Sequence, residues 1–186
     1  NDTLIGSDGT FDELRAGSGN DLLRAMGGDD RGLRGGPGND TIDGGNGSDR
    51  VRYDTSPQGV HVNLTGSDFQ GVNAETALDG FGTTDDLISI ERVRGSSNGD
   101  ILVGSAGDNQ LQGRGGSDQI IGLAGSDEIA GESGFDTVSY YHDASYGGPS
   151  GVDVNLGRGR ASDGFGDQDS LSGIEVVHGT NSSDSL

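Results

Sequence analysis

Aspartate recurs along this chain at a nearly constant interval, and carboxylates on a regular repeat are suited to binding cations. From residue 100 onward the interval is nine residues, and an apolar residue stands two positions after each member of the series. In the first fifty residues a looser series advances by nine or ten residues. The series consist of Asp2, Asp12, Asp21, Asp30, Asp40 and Asp49, and then of Asp100, Asn109, Asp118, Asp127 and Asp136. Such a period predicts a solenoid, in which the repeats stack on one another.

The best-formed repeats are GGPGNDTID from Gly35 and GGNGSDRVR from Gly44. Glycine adopts positive φ readily, so the first six residues can curl with their carbonyl oxygens pointing inward. The last three residues are extended, and Ile42 or Val51 points to the interior. The predicted metal ligands are the side chains of both series, together with the turns that contain Gly17, Gly19, Gly36, Gly38, Gly45, Gly47, Gly104, Gly107, Gly113, Gly116, Gly122, Gly125, Gly131 and Gly134. Additional candidates are Asp79, Asp85, Asp163, Asp169 and Asp184.

Each turn reverses the chain, so turns about 18 residues apart should stack on one edge at the strand spacing of about 4.8 Å. The predicted columns are Asp12, Asp30 and Asp49; Asp2, Asp21 and Asp40; Asp100, Asp118 and Asp136; and Asn109 with Asp127. Stacked carboxylates repel one another unless a cation lies between them. Carbonyl and carboxylate oxygens suit Ca²⁺ better than Mg²⁺, and pairing neighbours in each column gives about seven ions.

Three departures from the repeat bear on which sites bind well. Asn109 replaces an aspartate, so its column should hold its ion more weakly. Gly32 stands where an inward apolar residue belongs, and Leu33 indicates a one-residue bulge that leaves the pairing of Asp30 open. An extra residue between Gly6 and Asp12 leaves the first turn open in the same way.

Composition excludes several classes of protein. With 38 glycines among 186 residues and 28% hydrophobic content, the chain is too polar for a conventional globular core. A net charge of -20 with so little apolar content predicts a disordered chain until a ligand binds. The charge also opposes binding to nucleic acid or to anionic membranes. The lack of cysteine excludes disulfides and thiol catalysis, and no apolar run or signal segment predicts membrane insertion.

The chain is also duplicated on a larger scale. GVHVNL from Gly59 matches GVDVNL from Gly151, and both alternate in the two-residue period of strands. The predicted organisation is an all-β chain with a first repeat block at 1–52, a connector at 53–94, a second block at 95–139, a connector at 140–178, and the start of a third block at 179–186. Both ends fall inside a repeat, so we expect a piece of a longer polypeptide.

GGxGxD followed by an extended triplet with a central apolar residue is the signature of the repeat-in-toxin (RTX) family, and this chain resembles that family. The connectors are similar to those of large secreted members such as adenylate cyclase toxins. The resemblance implies a parallel β-roll in two blocks, joined and capped by connector strands. It further implies an extracellular or cell-surface protein, monomeric, that leaves the cell through type I secretion machinery and folds on meeting calcium.

Several features allow two interpretations. Asp79 with Asp85, and Asp163 with Asp169, bracket a GFG turn that either binds calcium or is a capped polar turn. The aromatic residues either cover the open end of each roll or form a sugar-stacking platform. They are Tyr53, Tyr140, Tyr141, Phe81 and Phe165. Arg158 and Arg160 are interpreted first as solvated loop charge and second as an anion contact.

Catalysis is not expected of this chain. His61, His142 and His178 share no spacing, and no nucleophile motif lies near them. Three functions remain: a non-catalytic calcium-driven folding and secretion module, a calcium-rigidified unit that binds a surface polysaccharide, and the accessory part of an exported enzyme or toxin.

Overall fold

Almost every repeat contributes a short strand directly after its aspartate. The computed structural model describes residues 1–9 and 11–186. The strands are β1 (Thr3–Ile5), β2 (Glu13–Arg15), β3 (Leu22–Arg24), β4 (Gly32–Arg34), β5 (Thr41–Asp43), β6 (Arg50–Arg52), β7 (His61–Asn63), β8 (Thr76–Leu78), β9 (Thr84–Ile88), β10 (Arg92–Arg94), β11 (Ile101–Val103), β12 (Gln110–Gly116), β13 (Gln119–Ile121), β14 (Glu128–Gly134), β15 (Thr137–Ser139), β16 (Asp153–Asn155), β17 (Arg160–Ser162), β18 (Gln168–Ser172) and β19 (Val176–His178). Short 3-10 helices span Asp143–Tyr146 and Leu156–Arg158, and within the described residues no helix has the length and apolarity to cross a bilayer.

Within the two repeat blocks, successive strands alternate between two sheets, so the chain coils as a parallel β-roll. Sheet 1 has the order β1-β3-β5-β9-β8-β7-β11-β13-β15-β19, and sheet 2 has the order β16-β17-β18-β14-β12-β10-β6-β4-β2. Pairing is parallel except where β8 joins β7 and β9, and where β17 joins β16 and β18. The all-β prediction and the β-roll implied by the resemblance are confirmed.

The core is a single stack of apolar side chains between the two sheets. The central residue of each triplet points inward, as Leu23, Ile42 and Leu87 do in sheet 1, and these three are in register. In sheet 2, Val51 and Val93 are fully buried and in register. Because only one residue per strand fills the interior, the turns at the edges must supply much of the stabilisation.

The first connector lies within the sheets and unites the two repeat blocks. In sheet 1, β9, β8 and β7 bridge β5 of the first block to β11 of the second. In sheet 2, β10 pairs with β6 on one side and with β12 on the other. Both sheets therefore run without a break from one block into the next. The residue limits of the five predicted segments remain a prediction.

Tyr53 and Tyr140 lie inside the roll. Both are buried in the main core, and their hydroxyl groups donate to Asp85 (3.1 Å) and Asp169 (2.9 Å) respectively. The expectation that these two residues cover an open end is therefore wrong, and their burial also removes them from a sugar-stacking platform. Tyr141 is exposed.

A second, smaller core covers part of the outer face of sheet 1. Phe69, from the loop after β7, packs on Val103, Ile121 and Leu123. The ring of His142, from the second connector, contacts Phe69 edge-on with centroids 4.8 Å apart. The connector loops thus shield this face from solvent.

Candidate metal centres in the stacked turns

The repeat aspartates stack in hydrogen-bonded columns on both edges of the roll. In each column, one carboxylate oxygen accepts the backbone N–H of the matching residue one coil earlier. The distance is 2.8 Å from Asp21 to Asp40, from Asp30 to Asp49, from Asp100 to Asp118, from Asp118 to Asp136 and from Asn109 to Asp127. The backbone N–H groups of Asp2 and Asp12 likewise donate to Asp21 and Asp30. The structure therefore contains the columns that the spacing predicts.

The irregular repeats keep their places in these columns. Asp30 stacks between Asp12 and Asp49, although an additional residue separates it from the buried Leu33 of β4. Leu33 takes the inward position, in register with Leu14 and Val51. The bulge is thus confined to the start of the strand, and the questions that the sequence left open about Asp12 and Asp30 are resolved.

Connector residues extend the columns beyond the repeats. Asp85 and Asp169 accept the N–H groups of Asp40 and Asp127 at 3.1 Å. Glu91 accepts that of Asp49 at 2.9 Å. Glu175 accepts that of Asp136 at 2.8 Å. The repeat pattern did not predict these two glutamates. Their shared position in IERVRG and IEVVHG could have indicated them.

In seven repeat turns of the described chain, the second carboxylate oxygen is buried without a hydrogen-bond partner. These aspartates are Asp21, Asp30, Asp40, Asp49, Asp118, Asp127 and Asp136. Four positions before each of them stands a residue with positive φ, namely Gly17, Met26, Gly36, Gly45, Arg114, Leu123 and Glu132. A buried carboxylate oxygen without a partner is costly, so these seven oxygens need a cation or a proton.

The remaining repeat turns satisfy their own carboxylate or amide oxygen. Ser96 donates its N–H and its hydroxyl to Asp100, both at 2.7 Å. Ser105 donates its N–H to the Asn109 side chain at 2.7 Å. Corresponding bonds run from Ser7 to Asp12 and from Thr180 to Asp184, also at 2.7 Å. A serine or threonine near the start of the turn therefore leaves these four side chains less available to a metal ion than the spacing alone predicts.

Backbone carbonyl groups point from one turn toward the next. A methyl group built on Gly36, Gly38 or Gly134 would lie 1.6–1.9 Å from the carbonyl oxygen of Gly17, Gly19 or Gly116 respectively. Gly45 and Gly47 face the carbonyl groups of Met26 and Gly28 in the same way. Glycine at these positions keeps the stacked turns close enough for the carbonyl oxygens of one turn to face the next.

Other predicted glycines make room for the carboxylate. A methyl group on Gly113, Gly122 or Gly131 would lie 2.1–2.5 Å from the unpaired oxygen of its own turn's aspartate, and Gly104 lies beside Asn109 in the same way. The left-handed position in three of these turns is taken by Arg114, Leu123 and Glu132. Gly116 and Gly125 have positive φ, whereas Gly107 belongs to the Ser105 turn.

Burial destabilises the charged form of the stacked carboxylates. Burial, reinforced by neighbouring carboxylates, raises the pKa of Asp49 to about 6, of Asp118 to about 7 and of Asp127 to about 8. The same causes raise the pKa of Asp85 to about 8. Without a cation these groups retain protons that they lose in water, so a divalent ion beside them relieves a real electrostatic cost.

The donor set fits calcium. Among the described residues, no three histidine, aspartate or glutamate side chains form a metal-binding group. The oxygens beside each free carboxylate are the backbone carbonyl groups of the stacked turns. Sites built from carbonyl and carboxylate oxygens suit a hard cation that accepts six to eight ligands, which describes Ca²⁺.

The two connector turns differ in their free oxygens. Asp79 accepts from the backbone of Phe81 and Thr83 and from the Thr83 hydroxyl, at 2.9, 3.0 and 2.6 Å, as in a capped polar turn. In the second connector Asp163 keeps one buried oxygen unpaired. In the second connector, Asp167 stands at the position that Thr83 occupies in the first.

A second sequence difference between the connectors gives the second connector another carboxylate. Ser56 donates to the Asp79 carbonyl at 2.6 Å, whereas Asp143 takes the equivalent place and has one unpaired buried oxygen. Both residues donate their N–H to the carbonyl of a tyrosine three residues earlier, Tyr53 or Tyr140. Burial and the nearby Asp163 and Asp169 raise the pKa of Asp143 to about 7.

Comparison with known families assigns the same segments. The family model for the RTX calcium-binding nonapeptide repeat matches in four copies, at residues 8–31, 33–55, 94–129 and 103–138. Together the matches cover about half of the chain and fall on the stacked turns and their strands. No curated protein matches the chain.

Proposed function

The chain belongs to the RTX family of calcium-binding nonapeptide repeats, and on that premise we propose that it is a module whose folding is driven by calcium. The observation that carries the proposal is the set of seven buried, unpaired carboxylate oxygens in the repeat turns. Calcium bound there supplies positive charge that offsets the desolvation of the carboxylates and their mutual repulsion.

Three pairs of stacked turns are the strongest candidates to hold calcium. In Asp21 with Asp40, Asp30 with Asp49, and Asp118 with Asp136, both partners have an unpaired oxygen. Asp127 has a free oxygen, but its stacked neighbour Asn109 is engaged by its own turn. The spacing alone predicts about seven ions. The engaged turns favour a smaller number of tight sites.

The Asp163 turn is a further candidate. Its free oxygen and that of Asp143 lie in the part of the second connector that stacks on the Asp127 column. Asp79, the counterpart in the first connector, has its oxygens engaged by its own turn. We therefore place a weaker calcium site in the second connector and none at Asp79.

The energetics support a switch. For a Kd of about 0.1 mM, millimolar calcium contributes about 1.4 kcal/mol per site. Three or four such sites contribute about 4–6 kcal/mol, which is comparable to the stability of a marginal domain. At submicromolar calcium the contribution vanishes, so the same chain is unfolded in calcium-poor surroundings and folded in calcium-rich ones.

We further propose that the module is non-catalytic, monomeric and extracellular, within a bacterial protein exported by type I secretion. The family membership and the absence of cysteine are consistent with that setting. As an alternative, it is the accessory part of a secreted enzyme or toxin. The two differ only in what is attached to the module.

Far-ultraviolet circular dichroism during a calcium titration at about pH 8, where the buried carboxylates are most costly without a cation, tests the proposal, with magnesium at equal concentrations as the control. We expect an unfolded spectrum in chelator, a cooperative change to a β spectrum with calcium, and no such change with magnesium. A β spectrum that persists after exhaustive chelation would overturn the proposal.

A further inference from the structure

Six of the eleven arginines lie on one face of the molecule, although the net charge is -20. They flank the inward-pointing residues of β2, β4, β6 and β10 and thus lie on the outer face of sheet 2 at one end of that sheet, a surface that we name the arginine face. It consists of Arg15, Arg34, Arg50, Arg52, Arg92 and Arg94. Val51 and Val93 are fully buried, so the arginines on either side of them point outward.

Strand register arranges these arginines in two rows. Arg15 is paired with Arg34, and Arg52 with Arg94. Since Leu33 is paired with Val51, the first row continues from Arg34 to Arg52. Arg50 and Arg92 form the second row. The backbone positions that carry neighbouring arginines in a row therefore follow one another at about the 4.8 Å spacing of adjacent strands.

The charge of this face is only partly neutralised. Asp54 accepts from Arg34 at 2.6 Å and from Arg52 at 2.8 Å, and Glu13 pairs with Arg15. Arg50 bonds to the Gln110 amide, and Arg92 bonds to the carbonyl of Ser48.

No ion pair reaches Arg50, Arg92 or Arg94 within the described chain, and the Nε groups of Arg34, Arg52, Arg92 and Arg94 are buried without a partner. An arrangement of like charges with unsatisfied donors is stabilised when an anion binds.

We propose that the arginine face binds an acidic polysaccharide through the carboxylates of successive uronate residues. Guanidinium groups bind carboxylates through two parallel hydrogen bonds, and a row of them matches a chain with regularly spaced acid groups. Gln110 and Gln112 continue the rows beside Arg92 and Arg94. The Gln110 amide is bonded to Arg50 and Glu128, whereas Gln112 offers hydrogen bonds to sugar hydroxyl groups.

Acidic polysaccharide fits this face better than nucleic acid does. The outward positions of β2, β4, β6, β10 and β12 carry no aromatic side chain on which a base could stack. The remaining charge of the molecule also repels a polymer as densely charged as nucleic acid. The site differs from the connector loops that the sequence suggested for a polysaccharide.

Binding by the arginine face rests on the proposed calcium-driven folding, because residues 15 to 94 come together only when the roll folds. The test therefore uses calcium-saturated protein whose β spectrum is verified for every variant. Fluorescence anisotropy of a short labelled oligogalacturonate measures affinity, with a neutral malto-oligosaccharide and single-stranded DNA as comparison probes. We expect binding of the uronate alone, weakened by added salt.

The variant Arg50→Gln/Arg94→Gln removes two charges that take part in no ion pair, and we expect affinity for the uronate to fall at least about tenfold. Arg158→Gln/Arg160→Gln removes the same charge from the other end of sheet 2, where Arg160 begins β17 and three strands separate it from β10, and should change affinity less than about twofold. Equal losses in both variants, equal binding of the neutral sugar, or a preference for DNA would overturn the proposal. Any of these results, obtained with protein that still folds on adding calcium, overturns uronate binding but leaves calcium-driven folding intact. Failure of the unsubstituted protein to fold on adding calcium would count against calcium-driven folding alone.

Discussion

At the residue scale, the backbone four positions before each aspartate distinguishes two kinds of turn. Ser96 and Ser105 direct an N–H to the acidic or amide side chain of their own turn. Arg114 and Glu132 have positive φ, and the aspartates that follow them keep one oxygen free. A non-glycine residue in this region costs about 1–2 kcal/mol. The free carboxylates are therefore maintained against a conformational penalty.

Replacing aspartate by asparagine should change the calcium midpoint in one kind of turn and leave it nearly unchanged in the other. Asp118→Asn removes charge from a free carboxylate, so we expect it to raise the calcium midpoint several-fold and to lower stability in millimolar calcium by about 1.4 kcal/mol, the contribution of one site. Calcium titration monitored by circular dichroism measures both.

Asp100→Asn is the matched control, because Ser96 and Val60 already donate to that carboxylate. It should lower stability by about 1 kcal/mol through weaker hydrogen bonds and leave the calcium midpoint within about twofold. If both variants shift the midpoint equally, the distinction between the turns is wrong.

At the element scale, the connectors continue the roll and differ from each other at the turn that follows. Asp85 and Glu91 take over the columns after the first block, as Asp169 and Glu175 do after the second. The first connector satisfies its Asp79 with Thr83, whereas the second carries additional carboxylates. Similar sequences thus form one turn whose aspartate is hydrogen-bonded by its own residues and one turn with free carboxylate oxygens.

Transferring the first connector's residues into the second should remove its calcium response. Asp143→Ser/Asp167→Thr supplies the hydroxyl groups found in the first connector, and we expect bound calcium to fall by about one ion per chain. Equilibrium dialysis with metal analysis provides the count. Asp43→Ser/Asp86→Thr, on the outer face of sheet 1, removes two carboxylates that have no side-chain bonds to the repeat turns and should leave the count unchanged. An unchanged count in the first variant would contradict the site at Asp163.

At the scale of the whole molecule, the two blocks share both sheets and one apolar stack. β10 is bonded to β6 and to β12, so loss of the second block exposes an edge of the first. Each coil has only one neighbour on each side to stabilise it, which makes folding depend on contacts between coils. Calcium sites in both blocks therefore contribute to one structure.

The calcium-free molecule should respond to pH in the opposite sense to most acidic proteins. Burial raises the pKa of Asp49, Asp118 and Asp127 from near 4 to between about 6 and about 8, so the folded state binds more protons than the unfolded state. Their protonated forms are compatible with folding at acid pH, and that compatibility is lost as pH rises through the folded pKa values.

In chelator we therefore expect β structure to increase as pH is lowered from about 8 to about 5, measured by circular dichroism. In saturating calcium, which requires ionised carboxylates, the increase should disappear. Greater β structure at alkaline pH in chelator would contradict the assignment of buried, cation-free carboxylates.

Sequence periodicity by itself determined the coil, the inward apolar residue of each triplet and the columns of aspartates, because all three follow from a fixed period and the alternation of strand side chains. Only the tertiary structure decided which carboxylates are free. That property depends on backbone angles at residues such as Arg114, whose side chain gives no sign of positive φ, and on hydrogen bonds between coils. The arginine face arose in the same way, since the register of strands from both the repeats and a connector brings together charges that are scattered along the chain.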